Sequence, residues 1–143
     1  MQPLPHEYDV SVSAGPVGEI AAQSAGVPAL SVDAPAEFGG PGDAWSPETL
    51  FLAAIANCFV LTFRAVSAAS GLKWQGLDCQ AAGTLDKQDG KMRFTAVKLQ
   101  ASLVLETASD EDKALRLMHK AEENCLVSNS LAVPVNLAPV ISR

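Results

Sequence analysis

The chain has 143 residues, 48% of them apolar and 18% charged, with a formal net charge of -6 and a pI near 4.7. That length is expected to make one domain over residues 1–143, with room for a real core. The acidic balance argues against nucleic acid or an anionic membrane surface as partner, and the high apolar share points to a subunit interface as well as a core.

The opening segment MQPLPHEYDV lacks a basic region and an apolar run, so no signal peptide is expected and the cytoplasm is the default compartment. From Tyr8 to Asp33 the chain reads as short strands. Tyr8, Val10 and Val12 alternate with polar neighbours, Gly15 to Gly18 marks a turn, and Glu19 to Ser24 and Ala29 to Asp33 follow. Ala34 to Ala44 holds Pro35, Gly39, Gly40, Pro41 and Gly42 and is expected to be a loop leading into the first helix. Its glycines are not followed by a lysine, so a phosphate-binding loop is not expected there.

Ser46 as N-cap, Pro47 at the first helical position and Glu48 beside the positive end of the helix dipole predict a strong helix start, and Gly71 predicts its stop. The helix should run from about Pro47 to Ser70. One stripe along it is Leu50, Ala53, Ala54, Asn57, Cys58, Leu61 and Ala65, while Phe51, Ile55, Phe59, Phe63 and Val66 cover another side. A helix this apolar is either a buried central element or a membrane span. Arg64, Asn57 and Thr62 inside it favour burial, against its own sheet and a partner chain.

Trp74 to Leu85, a turn around Asp89 and Gly90, and Met92 to Leu105 predict a long hairpin. Met92, Phe94 and Ala96 share one parity, and Val97, Leu99, Ala101, Leu103 and Leu105 the other, so a bulge or strong bend is expected near Ala96. Ser109, Asp110, Glu111 and Asp112 then cap a second helix with the face Ala114, Leu117, Met118, Ala121 and Cys125, and Cys125 closes it. Val133 to Ile141 reads as the last strand, which Pro134 and Pro139 place at an edge or end.

Cys58 and Cys125 offer the most chemistry. A thiol reacts as its thiolate, and two thiols on inward helix faces suggest a redox pair; on the residues alone, two small core side chains remain the plainer alternative. Cys79 reads as an inward strand residue, Glu48 as a partner of the helix dipole, and Ser128 and Asn129 as side chains satisfying backbone groups where the second helix ends. His6 and His119 make no zinc pattern with the three cysteines, so neither metal nor cofactor is expected.

The stretch SPETLFLAAIANCF, in which Cys58 follows Glu48 by ten residues, together with ENCLVSNSL from Glu123 to Leu131, resembles the OsmC/Ohr family of osmotically inducible protein C and organic hydroperoxide resistance protein. In that family a Pro-Glu pair opens a long central helix and a second cysteine lies in a Cys-Pro-x-Ser frame. Pro47, Glu48 and Cys58 match the first frame; Cys125, Val127, Ser128 and Leu131 match most of the second, and the likeness runs from about Tyr8 to the C-terminus. It implies an α+β domain of OsmC-like fold, with a bent antiparallel sheet wrapping long central helices, assembled as an intertwined homodimer. It also implies a peroxidase for organic hydroperoxides, recycled by a small dithiol or a dihydrolipoyl protein. Cys58 would be the peroxidatic cysteine, Cys125 the resolving one, and Glu48 the residue that orients an active-site arginine.

Two departures stand out. Leu126 occupies the place of the family's proline, and the sequence has no arginine before Arg64. Arg64 of a neighbouring chain, Arg93, Arg116 and His119 are the candidates to replace it. If none does, the alternative is an OsmC-like protein with weak or lost peroxidase activity, serving as a thiol redox sensor or a binder of apolar ligands.

Overall fold

The computed structural model describes residues 1–143 except the side chain of Ser109, so the capping role expected of Ser109 lies outside the described residues. The chain forms two compact units, Met1–Leu50 and Phe51–Arg143. In the first, strands β1 (Ser11–Ser13), β2 (Ile20–Gln23) and β3 (Leu30–Val32) form an antiparallel meander. The first strand is shorter than the alternation suggests: Tyr8 and Val10 precede it and are exposed. The Pro- and Gly-rich stretch after β3 is irregular apart from a single 3₁₀ turn at Ala36–Phe38.

Helix α1 (Pro47–Ser70) starts in the first unit and runs on into the second. Its start is a reciprocal cap. The Thr49 N–H donates to Ser46 Oγ (3.1 Å) and the Ser46 N–H to Thr49 Oγ1 (3.0 Å), which satisfies two amides that the helix itself leaves without acceptors. Its stop is a Schellman turn. Gly71 adopts φ +71°, its N–H donates to Ala68 O, and the Leu72 N–H reaches back to Ser67 O (3.0 Å). Lys113 Nζ donates to the Ser70 carbonyl (2.6 Å), adding a cation at the negative end of the helix.

The second unit continues with β4 (Trp74–Gln88) and β5 (Lys91–Leu105), a long antiparallel hairpin. Asp89 and Gly90 both have positive φ, +52° and +79°, as a two-residue turn matched to the strand twist requires. The register slips where Thr84 pairs with Ala96 but Leu85 pairs with Phe94, leaving Thr95 as the extra residue. This is the bulge that the change of parity predicts. Helix α2 (Glu111–Glu123), the single turn α3 (Leu126–Asn129) and strand β6 (Val135–Ser142) complete the unit. β6 pairs parallel to β5 at the sheet edge, so this sheet is mixed rather than wholly antiparallel; the helical crossover between the two strands is what parallel pairing demands.

One face of β5 supplies Val97, Leu99, Ala101, Leu103 and Leu105, which share a single core cluster with Ile55, Phe59 and Phe63 of α1 and Ala114, Leu117, Met118 and Ala121 of α2. Period two on the strand meets the i, i+4 row of one helix and the i, i+3, i+4, i+7 face of the other. Each large side chain buried there contributes roughly 1.5–3 kcal/mol of transfer free energy. The burial also decides between the two stripes of α1. Ile55, Phe59 and Phe63 are fully buried, whereas Leu61 on the stripe that carries Cys58 is 57% exposed. Cys58 is therefore not a core residue of its own chain; it flanks the core, half-buried.

Candidate active site

α2 stops short of Cys125. The Asn124 side chain donates to Lys120 O (2.8 Å), the Cys125 N–H to Glu122 O (3.2 Å), and Asn129 Nδ2 to Glu123 O (3.0 Å), so the carbonyls at the helix end are taken by groups that do not extend it. The expectation that Cys125 closes the second helix is thus corrected: it is the N-cap of α3, with extended backbone (φ -69°, ψ 104°), and is fully buried. The role read for Asn129, satisfying backbone at that helix end, is the one it plays. Ser128 does something else, donating through its hydroxyl to Cys125 Sγ (3.4 Å).

This turn brings Cys125 to Cys58. Thr62 Oγ1 lies 4.0 Å from Cys58 Sγ one turn along α1, and Cys125, Val127 and Leu126 are near enough to Cys58 to act on its thiol. Burial pushes the Cys58 thiol up, but donation from Val127, Cys125, Thr62 and Leu126 outweighs it and leaves the thiol below its ordinary value. Burial pushes Cys125 up as well. There Ser128 pulls back, the neighbouring Cys58 pushes further up, and the net is a thiol above its ordinary value. Of the pair, Cys58 has the thiol that its surroundings lower and Cys125 the one they raise.

Glu48 lies in the first unit. Its Oε1 is buried and has no hydrogen-bond partner among the described residues. It borders a mostly apolar cavity of about 250 Å³ that is also lined by Ile20, Val32, Pro35, Phe38 and Pro47. A desolvated carboxylate oxygen in such a place costs stability until a donor or a cation meets it. Arg64, Arg93, Arg116 and His119, the candidates for the missing cation, are all exposed, and among the described residues no basic side chain acts on Cys58. Cys79 packs partly buried against the core, as its place on β4 suggests, and burial raises its thiol.

A family model described as OsmC-like protein matches residues 40–138, a span that contains both cysteine frames. The chain belongs to the OsmC-like family. It is 32% identical over 110 residues to the uncharacterized protein YmaD of Bacillus subtilis, a match covering 75% of this chain and 73% of that protein. Among solved structures, an OsmC-like protein of unknown function from Vibrio cholerae superposes with a TM-score of 0.88 at 21% identity, covering 95% of this chain and all of that one. An organic hydroperoxide resistance protein from Elizabethkingia anophelis superposes with a TM-score of 0.78 at 23% identity, covering all of this chain and 99% of that one. One from Legionella pneumophila does so with a TM-score of 0.73 at 23% identity, covering 99% and 100%. At these identities the superpositions establish the OsmC-like α+β fold.

Sequence reasoning anticipates the two thiols but not the donors around them. Thr62 was legible, since it follows Cys58 by one helical turn. The amides of Leu126 and Val127 carry no side-chain signature; the departure from proline at Leu126 is the trace they leave in the sequence.

Proposed function

We propose that this protein is a thiol-dependent peroxidase that reduces organic hydroperoxides through Cys58 and Cys125. The observation that supports this reading is the contact between two thiols whose surroundings push them in opposite directions, Cys58 toward thiolate and Cys125 toward thiol. Cys58 thiolate attacks the terminal oxygen of the hydroperoxide, the O–O bond breaks, and the alkoxide leaves as an alcohol after taking a proton. Cys58 is then a sulfenic acid. Cys125 attacks that sulfur, a disulfide forms and water leaves. A small dithiol or a dihydrolipoyl protein reduces the disulfide and becomes oxidised in turn.

Stopped-flow oxidation of the reduced protein by an alkyl hydroperoxide and by hydrogen peroxide in parallel tests the reading. Fast reaction selective for the alkyl substrate supports it, and equally slow reaction with both overturns it. Cys125→Ser should leave the first oxidation at wild-type rate, end catalytic turnover there, and let a second equivalent of hydroperoxide carry the Cys58 sulfenic acid on to sulfinic acid, seen as a gain of two oxygens by intact mass. Retained multiple turnover would remove Cys125 from the cycle. The second reading, a thiol sensor or apolar-ligand binder with weak peroxidase activity, is favoured by one observation: among the described residues no basic side chain acts on Cys58.

The working form in this proposal is a homodimer. The most apolar window of α1 is only 17% buried within the chain, and Val10, Val12 and Val27 of the first unit are exposed together with Leu61 of the second. A second copy of the chain supplies the matching apolar surface. Light scattering at micromolar concentration should give about twice the 14.9 kDa chain mass; a folded monomer would refute the dimer.

A further inference from the structure

Glu48 is the acid in the first turn of α1, and its Oε1 is buried with no hydrogen-bond partner among the described residues. The helix end does not supply one. Pro47 has no N–H, the N–H groups of Thr49 and Leu50 are spent on Ser46 Oγ and Ser46 O, and the helix dipole favours an anion there without donating to it. Glu48 lines the cavity of about 250 Å³ that lies wholly within the first unit. Asp33 and Glu48 are the acids of its lining, no lining residue is basic, and the rest are apolar. The walls are held by the backbone. Val32 bridges to Trp45, the Asp33 N–H donates to Trp45 O (2.9 Å), and the Phe38 and Gly40 N–H groups both donate to Pro35 O (3.0 Å). Gly40 passes so close to the chain leaving β3 that a Cβ there would strike the Ala34 carbonyl.

We propose that this cavity is a binding site for a small amphipathic cation, a primary alkyl- or arylalkylammonium whose head meets the Glu48 carboxylate and whose apolar body lies against Phe38 and Ile20. A carboxylate oxygen withdrawn from water is best satisfied by a charged donor, and an ammonium offers three N–H groups. The terminal torsion of a glutamate is broad and two-fold, so either oxygen can turn to the cavity. A lining with acids and no base repels an anionic ligand, and it leaves a neutral alcohol one weaker hydrogen bond. Size limits the body. A dry cavity of ~150 Å³ holds benzene, so the larger space here takes a phenyl ring with a short arm. Walls and carboxylate therefore read the two ends of the ligand separately.

Calorimetric titration of the full-length protein with 2-phenylethylammonium, 2-phenylethanol and 3-phenylpropionate tests this. The ammonium should bind about tenfold more tightly than the alcohol, as a charge-assisted contact in place of a neutral one implies, and the propionate should not bind. Glu48→Gln keeps the shape of the side chain and removes its charge. It should bring the ammonium down to the affinity of the alcohol and leave the alcohol where it was. Equal affinities for ammonium and alcohol, no binding of the ammonium at millimolar concentration, or an ammonium affinity indifferent to Glu48→Gln would each overturn the proposal. Absence of binding is also the result if a basic side chain of a second copy fills the cavity. Should Glu48→Gln fail to fold, methyl spectra of the wild-type protein decide instead. Of Ile20, Ile55 and Ile141, Ile20 alone lines the cavity, so its methyl resonance should move with the ammonium and stay with the propionate. An Ile20 resonance indifferent to the ammonium would overturn the proposal equally. No arm uses a peroxide or a thiol, so failure of hydroperoxide reduction would refute the enzyme reading without touching this result.

Discussion

Cys58→Ser is expected to abolish alkyl hydroperoxide reduction, with turnover falling by ~10³ or more, because a nucleophile deleted from its site leaves only positioning and binding to accelerate the reaction. Serine keeps the size and the hydrogen-bonding capacity of the side chain but not its ionisation, and the chemistry requires the anion. The environment that lowers the Cys58 thiol, two amides, the Cys125 thiol and the Thr62 hydroxyl, does not bring an alcohol within reach of ionisation at neutral pH. Cys79→Ser is the matched control. That residue lies on β4, packed against the core, and its loss should change the rate less than twofold. Hydroperoxide consumption coupled to a dithiol reductant measures both. A Cys58→Ser protein that retains a tenth of the wild-type rate would end the assignment of Cys58, and full loss in Cys79→Ser would move it.

The ends of the elements that carry Cys58 and Glu48 were legible because each is a local signal that physics punctuates strongly. Ser46 and Pro47 start a helix wherever they stand in this order, Gly71 stops it, and Asp89-Gly90 turns a hairpin; all three behave as read. The parity change near Ala96 was enough to place the bulge within one residue. What escaped was decided by tertiary context. Both stripes of α1 are apolar, and only the position of β5 determines that Ile55, Phe59 and Phe63 face the core while Cys58 flanks it. Apolar periodicity likewise carried α2 through to Cys125, since Ala121 and Cys125 lie four apart; the side-chain amides of Asn124 and Asn129 end the helix first. That break matters functionally. Had the helix continued through Cys125, the amides that follow it would have been spent on carbonyls four residues back, leaving less to lower the Cys58 thiol.

Phe63→Ala is expected to lower the stability of the chain by about 3–5 kcal/mol, the usual cost of deleting a buried phenyl ring from a packed core. Phe63 is fully buried, and its ring meets the Trp74 ring edge-on at 5.5 Å with an interplanar angle of 62°. The loss therefore includes an aromatic pair as well as transfer free energy. It also loosens a polar contact, because Trp74 Nε1 donates to Ser67 Oγ (3.1 Å), and Ser67 is the buried residue one turn further along α1. Set against a net stability of about 5–15 kcal/mol, a deficit of this size lowers the melting temperature by ~10–15 °C under reducing conditions. A loss below about 1 kcal/mol would show that α1 does not pack on β4 and β5 as described. Leu61→Ala supplies the contrast. At 57% exposure within its own chain, Leu61 should cost at most about 0.5 kcal/mol in a monomer. If a second copy covers this stripe of α1, the same change destabilises far more, and its melting temperature rises with protein concentration as subunits associate. The pair of variants thus separates the two faces of one helix, the one its own sheet buries and the one left for a partner.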